Sequence, residues 1–153
     1  GAVFLTPAQG VRAEAPEGPG KAGSQARKLE GTWLVQVTIR DCQAGSVLRI
    51  FPAMLTFAKG GTLTETTTGF SPAGRSPGHG FWRHTGGGAY TAVSKAFLFN
   101  ADGIWVATQT ITQTIEIGDA PDEFNSNAAI EIVDPNGNIV STGCATAIAR
   151  RLE

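Results

Sequence analysis

From residue 31 onward, apolar residues recur at every second position in run after run, and no stretch repeats them every three to four. The clearest run is 31–42. Trp33, Val35, Val37 and Ile39 fall on one side, and Thr32, Gln36, Thr38 and Arg40 fall mostly on the other. A period of two is that of a β-strand with one face in a core and one in water. A chain written this way folds as sheet, and its sheet must be folded over its own apolar face.

Seven further runs follow, predicted as strands over 47–58, 62–68, 79–85, 89–100, 104–117, 123–133 and 139–150, with 104–117 the longest. Phe51, Ala53, Leu55 and Phe57 share a face of the second run, where Pro52 predicts a bulge or kink. Leu63, Glu65 and Thr67 share a face of the third. The connectors carry glycine: Lys59-Gly60-Gly61, Gly86-Gly87-Gly88, Ala101-Asp102-Gly103 and Asp134-Pro135-Asn136-Gly137-Asn138. The Asn136-Gly137 pair predicts a type I′ hairpin. Eight successive strands with short turns predict an all-β, eight-stranded antiparallel up-and-down barrel, because pairing the last strand with the first removes both sheet edges. The competing architecture is a β-sandwich.

Composition narrows the function classes. The 153 residues suit one domain, and with 41% hydrophobic but only 16% charged residues the surface must be dressed mainly in Thr, Ser, Asn and Gln. Net charge is −1 and no Lys/Arg stripe runs between aromatics, so nucleic acid is not an expected partner. No apolar run approaches the ~20 residues of a transmembrane helix. Cys42 and Cys144 form no CxxC pair, which leaves a long-range disulfide or two buried thiols.

Residues 1–28 read differently. Ala2-Val3-Phe4-Leu5 followed by Thr6-Pro7-Ala8 reads as a signal-peptide remnant, or else as a disordered N-terminal arm, with a Gly/Pro-rich linker after it. The β-barrel domain is expected over 29–153. A leader implies a secreted or periplasmic protein, an oxidising setting that favours a disulfide.

Gly31-Thr32-Trp33 at the start of the first strand, with Arg150 or Arg151 closing the last, resembles the calycin or lipocalin-like barrels. The resemblance covers residues 29–153. It implies that Trp33 plugs one end of the barrel with an arginine packed over it, and that a small apolar or amphipathic ligand sits inside. Some barrels of this kind are enzymes, cyclases and isomerases among them. Setting Trp33 beside Arg151 places Cys42 opposite Thr142, one same-face step from Cys144, close to the register a disulfide needs.

With the apolar parity inward, the interior acquires several residues that are not aliphatic: Glu65, Trp82, His84, Trp105, Gln109, Gln113 and Ser126, with Tyr90 joining them if the fifth strand follows suit. Aromatic walls with a few polar groups are what a small-molecule pocket needs, although plain core packing asks for the same aromatics. Glu65 and His84 are weak candidates for a catalytic acid–base pair if strand three sets Glu65 opposite residues 82–84. His79 and His84 have opposite parity, so no metal site is expected, and no cofactor is implied. The long loop 70–80 reads as a cover for a pocket mouth, with Arg75 free for an anion, or as a plain surface loop. Asp119, Asp122 and Glu123 read as a solvated acidic turn. Three functions therefore stand side by side. The first is an exported binding barrel for a small apolar or amphipathic ligand. The second is an isomerase or cyclase using the same cavity. The third is a structural or interaction module whose barrel fills itself.

Overall fold

Eight antiparallel strands close on themselves in sequence order, the last pairing with the first. The strands are β1 (Gly31–Arg40), β2 (Val47–Phe57), β3 (Thr62–Thr67), β4 (Gly78–Gly86), β5 (Ala89–Phe99), β6 (Trp105–Glu116), β7 (Glu123–Val133) and β8 (Ile139–Arg151). The up-and-down barrel is therefore the architecture, and the sandwich is excluded. The longest strand is β8, with 13 residues, rather than β6 with 12. This computed structural model describes Ser24, Gln25 and residues 27–153. The expected leader remnant lies outside the described residues, as does most of the linker.

One pole of the barrel is solid. Leu29, Trp33, Phe57, Trp82, Tyr90, Ile115 and Phe124 are all buried there. Trp33 lies 4.8 Å from the Phe124 ring, Phe57 stands edge-on to Trp82, and Trp82 stands edge-on to Tyr90. Ser24, Gln25 and Arg27 form a helical turn across this end. The Tyr90 hydroxyl donates to the Gln25 carbonyl and the Trp33 indole N–H donates to the Leu29 carbonyl, so the turn is bonded to the plug. Burial pushes the Tyr90 phenol pKa upward.

Arg151 is the arginine that closes the plug. It pairs with Trp33 across the β1–β8 seam, its guanidinium sits 4.3 Å from the indole centroid, and Arg150 points outward opposite Leu34. Its Nη1 donates to Glu30 O at 2.7 Å, its Nη2 to Lys28 O at 2.6 Å, and its Nε reaches Asp122 at 3.1 Å. The Gly-x-Trp spacing follows from this. Gly31 has φ of +118°, and a Cβ there would sit 2.9 Å from Arg151 Nη1. Only glycine allows both the backbone and the approaching guanidinium.

The same seam is stapled at the far pole. Register runs from Trp33↔Arg151 to Arg40↔Cys144, and just beyond it Cys42 bonds to Cys144 with Cα atoms 5.3 Å apart. The bond links residues 102 apart in sequence. Replacing both cysteines by serine is expected to lower unfolding free energy by about 2–5 kcal/mol in denaturant titrations. A loss below ~1 kcal/mol would show that the unfolded chain is already restrained without the bond.

Turns and bulges refine the expected pattern. Pro52 causes no bulge against β1; it marks where the β2–β3 ladder stops, its carbonyl accepting from Thr68. The bulges lie at hairpin ends, where Leu48, Thr85, Val106 and Val140 are each skipped by the pairing. The Asn136-Gly137 turn is not type I′, because Asn136 does not have positive φ. Instead Gly137 N–H donates to Asp134 O, Asp134 N–H donates to Asn138 O, and Gly137 has φ of +91°. That is a type I turn closed by a glycine bulge, with Pro135 at the position its fixed φ favours. Asp134 and Asp41 each accept backbone N–H bonds in these mouth turns, which holds both carboxyls below their ordinary pKa.

Candidate functional site

Above the aromatic plug the barrel is not filled. Inward positions there carry small residues, Ala53 on β2, Ala128 on β7, and Ala145 and Ala147 on β8, and they leave a cavity of about 230 Å³ open at the pole opposite Trp33. Val35, Val37, Phe51, Leu55, Ile111 and Ile130 supply most of its apolar wall. A shallow depression on the outer wall, around Leu34, Ile50 and Ile148, contains no buried polar group.

The polar part of the cavity starts with a buried ion pair. Inward-facing Glu65 accepts from Arg75 Nη2 at 2.8 Å, and the two side chains are 8% and 4% exposed. Arg75 Nε donates to Gln109 Oε1 at 2.9 Å and Nη1 to Ser76 O at 3.1 Å, so the guanidinium is held on three sides. Its loop does not float over the mouth. Arg75 bridges to Leu98 on β5, and Phe97 O and Ser76 N–H are bonded, so the loop is laid against the sheet. The expectation of an arginine free for an anion is corrected: a carboxylate turned into an apolar barrel draws the nearest cation inward. Gly78, opposite Glu65, makes room for it, since a Cβ there would collide with the carboxylate.

Six other polar residues line the cavity: Arg49, Thr67 and Thr146, which are exposed or half-buried, and Ser94, Gln113 and Ser126, which lie deeper. Ser94, Gln113 and Ser126 are buried, and among the described residues none of their three side chains has a hydrogen-bond partner. Among the described residues no buried side-chain nitrogen or oxygen is both sealed and unpaired, so the polar atoms of these three open onto the cavity.

The expected site residues divide three ways. Glu65, Gln109 and Gln113 line the cavity. Trp82, His84 and Tyr90 belong to the plugged end: Trp82 donates to Ala58 O, and His84 Nε2 lies 2.7 Å from Gly87 O with its ring 5.2 Å from Tyr90. Trp105 is outside the barrel and 45% exposed. Its parity matches that of Gln109, but the bulge at Val106 reverses the alternation, so Trp105 pairs with Phe99 and packs beside Phe97 on the outer wall. No protein-family profile matches the sequence, and no curated protein matches it either.

The acid–base pair is also corrected. Register sets Glu65 opposite Gly78, not opposite 82–84, and His84 lies six residues further along β4, roughly 20 Å away at strand spacing. The loop after β3 returns lower on β4 than a simple hairpin would. Sequence reasoning set Arg75 over the pocket mouth rather than in the cavity wall, and missed Ser94. The signal for Arg75 was an inward carboxylate in need of a cation. For Ser94 it was the run Tyr90, Ala92, Ser94, Ala96 and Leu98, whose inward parity was obscured by Lys95 and Phe97.

Proposed function

We propose that this chain is an exported binding protein that holds a small apolar or amphipathic ligand inside the barrel. One observation carries the reading: half the barrel is filled by its own aromatic side chains, while the other half is lined by apolar residues too small to meet and opens to one pole. A barrel meant only to stand would be filled throughout. The cavity of about 230 Å³ is below the ~300–1,000 Å³ of drug-sized sites, so the ligand is small or extends past the mouth. The stacked Trp33 and Arg151 support a calycin-like affiliation. The Cys42–Cys144 bond supports an oxidising compartment. No helix among the described residues is long and apolar enough to cross a membrane. The enzyme reading has lost its acid–base pair, and nothing else in the cavity favours it.

Native mass spectrometry of protein purified from its natural host is expected to show a co-purifying molecule. Thermal unfolding of that sample should then fall when the ligand is extracted, because a ligand that binds only the folded state stabilises it. Repeated recovery of an empty barrel with an unchanged melting temperature would overturn the reading.

A further inference from the structure

We infer that the cavity takes an uncharged ligand bearing a hydroxyl or carbonyl, which bonds to a polar line formed by Ser94, Gln113 and Ser126. This rests on the binding reading and specifies its ligand class. The line follows from register. Gln113 on β6 pairs with Ala92 on one side and Ala128 on the other, while Ser94 and Ser126 each lie one same-face step from those alanines. The diagonal therefore crosses three strands, and the flanking alanines leave the carboxamide uncovered. The residues are 3%, 7% and 5% exposed in the order of the line, so water reaches them only through the cavity.

Charge decides the class. Glu65 and Arg75 neutralise one another, and Arg75 also occupies the Gln109 oxygen. The other cation of the lining, Arg49, is exposed at the mouth, where it pairs with Ile39, donates to Gly69 O and lies over the Phe51 ring, well above the level of Gln113. A charged ligand group at the depth of Gln113 would lose its hydration without finding a counter-ion. A carboxamide and two hydroxyls instead offer both donors and acceptors to a neutral group. Size follows from volume. A dry cavity of about 150 Å³ accepts benzene, so about 230 Å³ corresponds to roughly nine heavy atoms within the walls.

The test uses the full, oxidised chain titrated with toluene, p-cresol and 4-methylbenzoate, followed by NMR of the Val37, Ile111 and Ile130 methyls and the Gln113 side-chain amide. The expected result is p-cresol binding roughly three- to tenfold more tightly than toluene, as a neutral hydrogen bond gives, with 4-methylbenzoate weakest. Gln113→Leu should remove the p-cresol advantage while retaining toluene. Ser94→Ala, a smaller change, should reduce it. Equal affinity for toluene and p-cresol, or an advantage untouched by Gln113→Leu, would overturn the polar line and leave it a water site, with the binding barrel intact. Tightest binding of 4-methylbenzoate would overturn the neutral class. If no probe shifts the methyls, the binding reading falls together with it.

Discussion

Arg75→Ala is expected to destabilise the fold by about 3–5 kcal/mol, because it leaves the Glu65 carboxylate buried against apolar strands without its cation. Single domains hold only ~5–15 kcal/mol in total, so a substantial fraction of the variant should be unfolded in mild denaturant. The comparison that gives this number its meaning is the pair Glu65→Leu with Arg75→Met. Removing both charges takes away the desolvation cost along with the attraction, and the double variant should recover to within ~1–2 kcal/mol of the parent or exceed it. Arg150→Ala is the control. That side chain is exposed and makes no hydrogen bond or ion pair among the described residues, so its loss should change stability by no more than ~0.5 kcal/mol. Guanidinium titrations of the four proteins check the set. An Arg75→Ala variant within ~1 kcal/mol of the parent would mean that water reaches Glu65 through the cavity.

Trp33→Ala acts on the other pole and should cost about as much, ~3–5 kcal/mol. Its side chain is fully buried, it packs on Phe124, its face carries Arg151, and its N–H satisfies the Leu29 carbonyl. For a domain of this size the loss corresponds to a fall in melting temperature of roughly 10–20 °C. Trp33→Phe keeps a ring beneath Arg151 but orphans the carbonyl, and should cost about 1–2 kcal/mol less than alanine. Trp33 does not line the cavity, so the folded fraction of either variant should bind cavity probes as the parent does. An alanine variant that melts within a few degrees of the parent would show that the plug is dispensable.

These two sites also show what the sequence made legible. Every strand was readable to within a residue or two, because alternation is local and glycine marks each turn. The β1–β8 seam was readable as well, since Trp33 and Arg151 at one end set the register that brings Cys42 to Cys144 at the other. What stayed hidden depended on single-residue departures from regular pairing. The bulge at Val106 sent Trp105 outside although its parity matched Gln109. The loop from Thr68 to Pro77 returned to pair Gly78, not Trp82 or His84, with Glu65, and it carried Arg75 into the wall. Neither departure has a periodic signature. The division of the interior into a filled and an unfilled half was written in side-chain size, aromatic near the plug and alanine near the mouth. It becomes readable only when register shows which residues share a level.

Arg151 holds the carbonyls of Lys28 and Glu30, so the strand that opens the barrel and the strand that closes it meet at the plugged pole. Anything joined beyond Glu153 leaves from the side opposite the mouth. A barrel anchored there to a bead, an electrode or a fused reporter would present its opening to the solution, with the Cys42–Cys144 bond near the rim and no linker crossing the entrance. That geometry keeps the cavity wall, Ser94, Gln113 and Ser126 included, open to substitution without touching the pole that would hold the chain to a surface.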